Sequence, residues 1–436
     1  MVAADARVCS VPTDRVSQRM HHPRRISLRG HGYFKRLGPG IVTGAADDDP
    51  SGIATYSQVG AAQGLSLLWM APLLLPLAVG VQESTARVGL VTGKGLGTLI
   101  REQFPRWVLI GAVLLVAMAN TLNVAADLAS MGAALRLLVP VPSGIGVVVF
   151  AVTMGVAEVL VPYHRYSRVL RWLALSLVAY VLVLAVVHVD WSAVVARTFV
   201  PRFRFDATNM IALTAVAGTT ISPYLFFWQC SEEVEERGDG AATPIDRPHL
   251  VAMRVDVWTG MLSGVAAMFA IMCTAAVTIG ASGSINIGTA EQAAKALEPL
   301  AGSFAKVLFA TGIVGLGLLA VPVLAGATAY AVAEAFHWHE GLSSRLRDAP
   351  GFYGVIVASM AIGLGLVGFG VNPIRALYFA AIFNGLTAPP LILLIVLLAR
   401  SQRVLGEFRS GWASLIATSA AGLVMTAFPI LALLTS

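Results

Sequence analysis

The sequence predicts an all-α polytopic membrane protein of about eleven transmembrane helices, built as two inverted five-helix halves with helices one and six broken. Three observations predict it. Of 436 residues, 57% are hydrophobic and only 12% charged, about half the roughly 25% charged share of a soluble domain. Apolar stretches of about 18 residues or more recur throughout, each long enough to cross a bilayer. Two of them are interrupted in corresponding places, by Gly44, Pro50 and Gly52 in the first and by Gly218 and Pro223 in the sixth.

Taken in order, the expected spans are 39–64, 67–90, 107–137, 143–161, 170–189, 208–231, 249–279, 303–334, 352–370, 374–398 and 411–433. Most lack a polar face, as helices that are apolar all round do. With the N-terminus inside, the inner segments collect about 23 Lys and Arg against about 6 outside, so positive charge orients the chain. The net charge of +6 follows from that bias and implies no nucleic-acid partner. Residues 1–36 are Arg-rich and polar without an apolar core, which predicts a disordered cytosolic tail and no cleavable leader. Residues 37–436 form one transporter-like domain, with repeats at about 39–190 and 208–398 plus an eleventh helix at 411–433. The C-terminus then falls outside, and the outer stretch 289–300 suits a short surface helix.

Each break opens its half. Five is odd, so the halves insert with opposite topology, and paired broken helices point to a transport site at mid-membrane. Unwound backbone at that depth is tolerated where it lines a cavity. A proline in one helix can be a plain kink, but the first break carries Asp47, Asp48 and Asp49. An Asp at the bilayer centre costs about 2.5–3.5 kcal/mol on insertion scales. The run must therefore face water, a cation or the bundle interior. Asp49 precedes Pro50, which pushes it out of the α region. Carbonyls just before it become free oxygen ligands, and carboxylate with carbonyls is hard-cation chemistry. A second reading has Asp49 only capping the half-helix that follows. Asp47 and Asp48 could contact the ion or line a vestibule.

Other polar groups have plain readings. Glu83, near the inner end of span two, suits an interfacial salt bridge. Asp127 in span three has Asn120, Thr121 and Asn123 nearby to satisfy it without a transport role; the alternative places it beside the site or on the ion pathway, as a proton carrier with Asp49. Glu158 falls near an inner end and is expected to be solvated. So is the cluster Glu232, Glu233, Glu235 and Glu236, with collection of an exiting cation as the sharper reading. No histidine falls at mid-span, which argues against an imidazole zinc site. Cys9, Cys230 and Cys273 form no CxxC pair and no disulfide framework. Asn384, before Gly385 and Pro389, either packs or lends a polar group to the site.

At this point the motifs match a known family. Gly38-Pro39-Gly40, eight residues, then Asp49-Pro50-Ser51-Gly52 resembles the first-helix signature of the NRAMP divalent-metal transporters, GPG, eight residues, DPGN. The match continues in Gln82-Glu83-Ser84 through Arg87, in Val91-Thr92-Gly93-Lys94, at Asp127 and at Asp190-Trp191. In span six, Thr219-Thr220-Ile221-Ser222-Pro223-Tyr224 stands where the family has Met-Pro-His-Asn. The resemblance covers about residues 36–430 and implies a LeuT-type inverted repeat working by alternating access. It also implies metal ligands from the Asp49 carboxylate, the Ala46 carbonyl and the Thr219 carbonyl. Gly52 replaces the family's Asn ligand and Ser222 its Met ligand. A thioether favours softer metals, whereas fewer ligands in a roomier site suit an ion that keeps part of its water, as Mg²⁺ does. The pattern is similar to the NRAMP-related magnesium transporter branch. Tyr224 replaces the family's His and Ser130 a Glu; neither titrates near neutral pH. The resemblance thus implies uptake of Mg²⁺, with Mn²⁺ as a second ion, that is weakly coupled or uncoupled to protons.

The competing reading is proton-coupled Mn²⁺/Fe²⁺ symport. A sodium-coupled amino-acid carrier would set a helix N-terminus against a substrate carboxylate, and the Asp run opposes that. No nucleophile–base pair or histidine cluster suggests an enzyme, and no loop is long enough for a sensor's output domain. The expected partners are a divalent cation and the lipid bilayer of the plasma membrane, with no bound cofactor.

Overall fold

Backbone groups in hydrocarbon must bond within their own segment, so a chain this apolar has to be helical. The computed structural model describes residues 43–44, 47–160, 177–202, 204–237, 245–283, 287–342, 344–370 and 372–435. The expected tail at 1–36, the Gly38-Pro39-Gly40 motif, Ala46 and Cys9 lie outside the described residues.

No strand occurs among the described residues. The helices are α1 (Pro50–Gln63), α2 (Met70–Thr92), α3 (Leu96–Gln103), α4 (Arg106–Leu138), α5 (Ser143–Leu160), α6 (Val178–Val186), α7 (Trp191–Phe199), α8 (Ala207–Thr220) and α9 (Pro223–Arg237). They continue as α10 (Arg247–Val277), α11 (Ala290–Ala294), α12 (Glu298–Ala301), α13 (Ala305–Phe336), α14 (Pro350–Val367), α15 (Pro373–Ala399), α16 (Gln402–Leu405) and α17 (Trp412–Leu434). Among the described residues, 8 spans are long and apolar enough to cross a membrane, or 9 if α1 and α2 are counted as one bent pair. The chain turns by 113° at Leu68 and Trp69, between the segment Pro50–Leu67 and α2; within the first segment α1 ends at Gly64, whose φ of 58° a side chain would resist. Eleven spans were expected; those at 39–64 and 170–189 lie partly outside the described residues. The other boundaries match the expected ones to within a few residues, because length and hydropathy alone determine them.

The helices sort into two groups. The broken helices α1 and α8–α9 pack with α2 and α10, while α4, α5, α13 and α14 pack with one another. The contact of α9 with α13 and the reach of α15 across α1, α4 and α8 join the groups. Without a hydrophobic drive between helices in lipid, small residues set the closest approaches. A Cβ on Gly218 would overlap the Ala381 and Gly385 backbone of α15, and one on Gly44 would overlap Gly260 of α10. Both crossings flank a helix break, so the glycines hold the breaks against their neighbours.

The stretch 289–300 is helical as expected. Thr289 caps α11 by accepting from the Gln292 amide, and Ala290, Ala293 and Leu297 are buried beneath it.

Candidate functional site

Asp49 ends the first break. Its φ of −65° and ψ of 172° are extended, as the following proline requires. The carboxylate folds back over α1, where Oδ1 accepts the Gly52 amide at 2.9 Å and the Ser51 hydroxyl at 2.6 Å. Asp49 therefore does cap the half-helix. From the first turn of α9, the Tyr224 hydroxyl also donates to it. Ser51 joins the two breaks, since its Oγ lies 3.1 Å from Thr219 Oγ1 in the last turn of α8. The Ser51 proton goes to Asp49, so Thr219 is the donor in that pair.

The second break falls at Ile221 and Ser222. The Ser222 hydroxyl turns back to the Gly218 and Thr219 carbonyls, 3.0 Å from each, two of the carbonyls that the end of α8 leaves unpaired. The Thr219 carbonyl thus already has one donor. Oxygens from both breaks converge beside Gly52: the Asp47 carbonyl and Thr219 Oγ1 lie 3.5 and 3.6 Å from where a Cβ on Gly52 would stand. The expected extra room is not there. Tyr56 Cε2 comes within 3.2 Å of the same point, because Tyr56 lies one turn along α1 and helical side chains lean back toward the N-terminus.

The described site residues are buried. Asp49, Thr219 and Ser222 are each 1% exposed, Asp47 2% and Asp48 5%. Asp47 and Asp48 are therefore interior groups and do not line an open vestibule. Oδ1 of each has no hydrogen-bond partner, and Asp47 Oδ2 faces Gly264 of α10.

Asp127 also departs from expectation. Neither of its oxygens has a partner, though it is fully buried and within electrostatic range of Asp49. Asn120 bonds the Leu324 carbonyl and Thr328, and Thr121 bonds the Ala117 carbonyl. Asn123 is taken by Ala119 and by Asn384 of α15, at 2.9 and 2.8 Å. Asn120 is two turns away, too far for a short side chain to reach. Asn384 serves as an α4–α15 tie beside the Gly385 crossing. None of the four aspartates joins a salt bridge among the described residues. No group of three or more Asp, Glu, His or Cys there is arranged to cage a metal.

Comparison with known proteins now decides the family. A family model described as natural resistance-associated macrophage protein-like, Nramp, matches residues 40–435. The chain belongs to the Nramp family. The divalent metal cation transporter MntH of Deinococcus radiodurans is 32% identical over 304 residues, 66% of this chain and 67% of that one. The MntH of Caldanaerobacter subterraneus is 25% identical over 388 residues, 86% of this chain and 87% of that one. Among solved structures, the manganese transporter of Eremococcus coleocola superposes with a TM-score of 0.73 at 16% identity, covering 92% of this chain and 87% of that chain. A nucleobase-cation-symport-1 family transporter superposes at 0.57, again at 16% identity, covering 92% of this chain and 90% of that one. These structures share the fold: a helical membrane protein of the Nramp and LeuT type.

Several Nramp motifs resolve into local structure. Val91-Thr92-Gly93-Lys94 closes α2, with Gly93 left-handed at φ 64° and its amide donating to the Gly89 carbonyl. Glu83 is the expected interfacial ion pair, accepting from Arg87 Nη2 and Arg254 Nε at 2.7 Å each. Asp190 caps α7 by accepting from the Ala193 amide at 3.0 Å.

Two solvated acids turn out otherwise. Glu158 is 4% exposed, facing Tyr353 of α14, because the end of α5 is covered by its neighbour. In the α9 cluster Glu236 is exposed but Glu233 is buried. Glu233 accepts from Gln229 at 3.0 Å, and Glu235 accepts from Tyr330 and from the Leu342 amide.

Sequence reasoning missed Tyr56, and it missed Gln229, which is bonded to Thr43 before the first break. Their positions held the signal. Tyr56 is four residues from Gly52 and Gln229 seven from Ser222, so each shares a helical face with its site residue.

Proposed function

We propose that this Nramp protein carries a divalent metal cation across the plasma membrane by alternating access, with Asp49 as its main carboxylate. The favoured ion is Mg²⁺, with Mn²⁺ also accepted, and the flux is weakly coupled or uncoupled to protons. The proposed ligands are Asp49 and the Ala46 and Thr219 carbonyls, with Gly52 and Ser222 as the positions that have lost a ligand. One observation carries this reading: the groups that meet between the paired breaks are the Asp49 carboxylate, the Ser51 and Thr219 hydroxyls and the Asp47 carbonyl, and residues 47–52 and 218–224 include no methionine or histidine. Such a sparse oxygen set suits a hard cation that keeps water. Buried carboxylates without counter-charges favour a cation.

The halves offer matching closures. Ser51–Thr219 and Tyr56–Thr220 tie the outer half-helices, at 3.1 and 2.9 Å, and Thr43–Gln229 ties the inner ones. Opening to either side would break one set and keep the other. A divalent ion moving inward gains about 4.6 kcal/mol per 100 mV, twice the single-charge figure, so no proton is required to drive it.

A second reading has support from Asp127. A buried carboxylate with no partner beside Asp49 is a candidate proton carrier for Mn²⁺ or Fe²⁺ symport, and the relatives named above are divalent metal transporters. Uptake into liposomes holding a pH dye separates the two. The uncoupled reading expects Mg²⁺ and Mn²⁺ to enter under an inside-negative potential without a change of internal pH. Acidification in step with metal entry would establish the second reading.

A further inference from the structure

We infer that Tyr56 is a specificity-determining residue of this site: it fills the room that a ligand side chain at position 52 would need, and so leaves the ion's water in place of a protein ligand. This rests on the divalent-cation reading above. Tyr56 is 1% exposed and one helical turn from Gly52. Its Cε2 would stand 3.2 Å from a Cβ at position 52, inside the roughly 3.5–4.0 Å of ordinary carbon contact. Any side chain longer than hydrogen there must displace the ring.

The ring is not free to move. The Tyr56 hydroxyl lies 2.9 Å from Thr220 Oγ1. Thr220 gives its only proton to the Val216 carbonyl at 2.7 Å, a better acceptor than Met268 Sδ at 3.4 Å. Tyr56 is therefore the donor, and its own lone pairs stay unspent. The phenol lies within electrostatic range of Asp47, Asp48 and Asp49. An aromatic edge is no metal ligand, so an ion beside it completes its shell with water, and the phenol oxygen can accept from that water. Gly52 and Tyr56 act as a pair: the glycine makes space for the ring, and the ring excludes a ligand from the glycine's position.

The test is a double-mutant cycle. Mg²⁺ and Mn²⁺ binding is measured by calorimetry on purified wild type, Gly52→Asn, Tyr56→Ala and the double variant, with Tyr56→Phe beside them. Asn alone has no room, so Gly52→Asn weakens both ions. Removing the ring rescues it, and the double variant gains Mn²⁺ over Mg²⁺ by about tenfold beyond the product of the single effects, the size expected for touching residues. Tyr56→Phe keeps the ring and keeps the wild-type ion ratio. Single effects that simply multiply would overturn the inference. If Gly52→Asn does not accumulate in the membrane, accumulation of the double variant supports the pairing and its failure overturns it. Wild type that ignores Mg²⁺ would sink the hard-ion reading alone, because the coupling is still read from Mn²⁺.

Discussion

At Asp49 the cap and the charge can be separated, because Asn caps a helix about as well as Asp does. Asp49→Asn is expected to leave thermal stability near wild type while abolishing metal uptake. Asp49→Ala loses the cap as well, and should be less stable by about 1 kcal/mol. Thermal unfolding beside liposome uptake checks both. At the second break, Ser222→Met should shift preference from Mg²⁺ toward Cd²⁺ and Mn²⁺ in competition binding, since a thioether suits softer ions. The same residues show what sequence can and cannot reveal. Asp49 was legible because proline geometry is local, whereas Thr219 and Ser222 were reached only through the family resemblance. Tyr56 was not legible, because its role depends on a ring packed against a glycine and tethered to a threonine 164 positions away. The plain reading of Asp127 fails for the converse reason, as the asparagines near it in sequence are committed to α13, α15 and their own helix.

Spans are the scale at which the sequence speaks most clearly, since about 20 apolar residues can do little else. The short α3 escaped notice because its cap comes from another helix. Gly95 offers α3 no side chain, and the carboxylate of Glu334, buried in α13, accepts the Gly97 and Thr98 amides instead. Its other oxygen accepts Ser231 of α9 at 2.9 Å. Three elements thus meet on one carboxylate. Glu334→Ala should destabilise the protein by about 2–3 kcal/mol, as loss of hydrogen bonds to a buried charge does, and speed amide exchange in α3 first. Surface caps carry a pH signature. The Ser192 hydroxyl and Ala193 amide hold the Asp190 carboxyl below its ordinary value of 3.8, and the His249 amide does the same for Asp246. A depressed folded value contributes stability above the ordinary one and loses it as pH falls through the folded one. Amide exchange in the first turns of α7 and α10 should stay slow at neutral pH and accelerate only below about pH 4.

Across the whole molecule, two packed groups of helices enclose four buried carboxylates, Asp47, Asp48, Asp49 and Asp127, that no described basic residue pairs. In the proposed function these carboxylates are retained for a cation. The inverted halves and the broken helices could be read from proline, glycine and charge patterns. The ties between the broken helices could not, because they depend on pairs such as Thr43–Gln229 that lie 186 residues apart. We propose above all that a hard, partly hydrated divalent ion binds at the Asp49 break. Calorimetric titration of Mg²⁺ into purified wild type and Asp49→Asn tests it most directly. Mg²⁺ binding to wild type that vanishes in Asp49→Asn is the predicted result. Failure of wild type to bind Mg²⁺ while Cd²⁺ or Mn²⁺ binds tightly, or equal Mg²⁺ binding by both proteins, would contradict it.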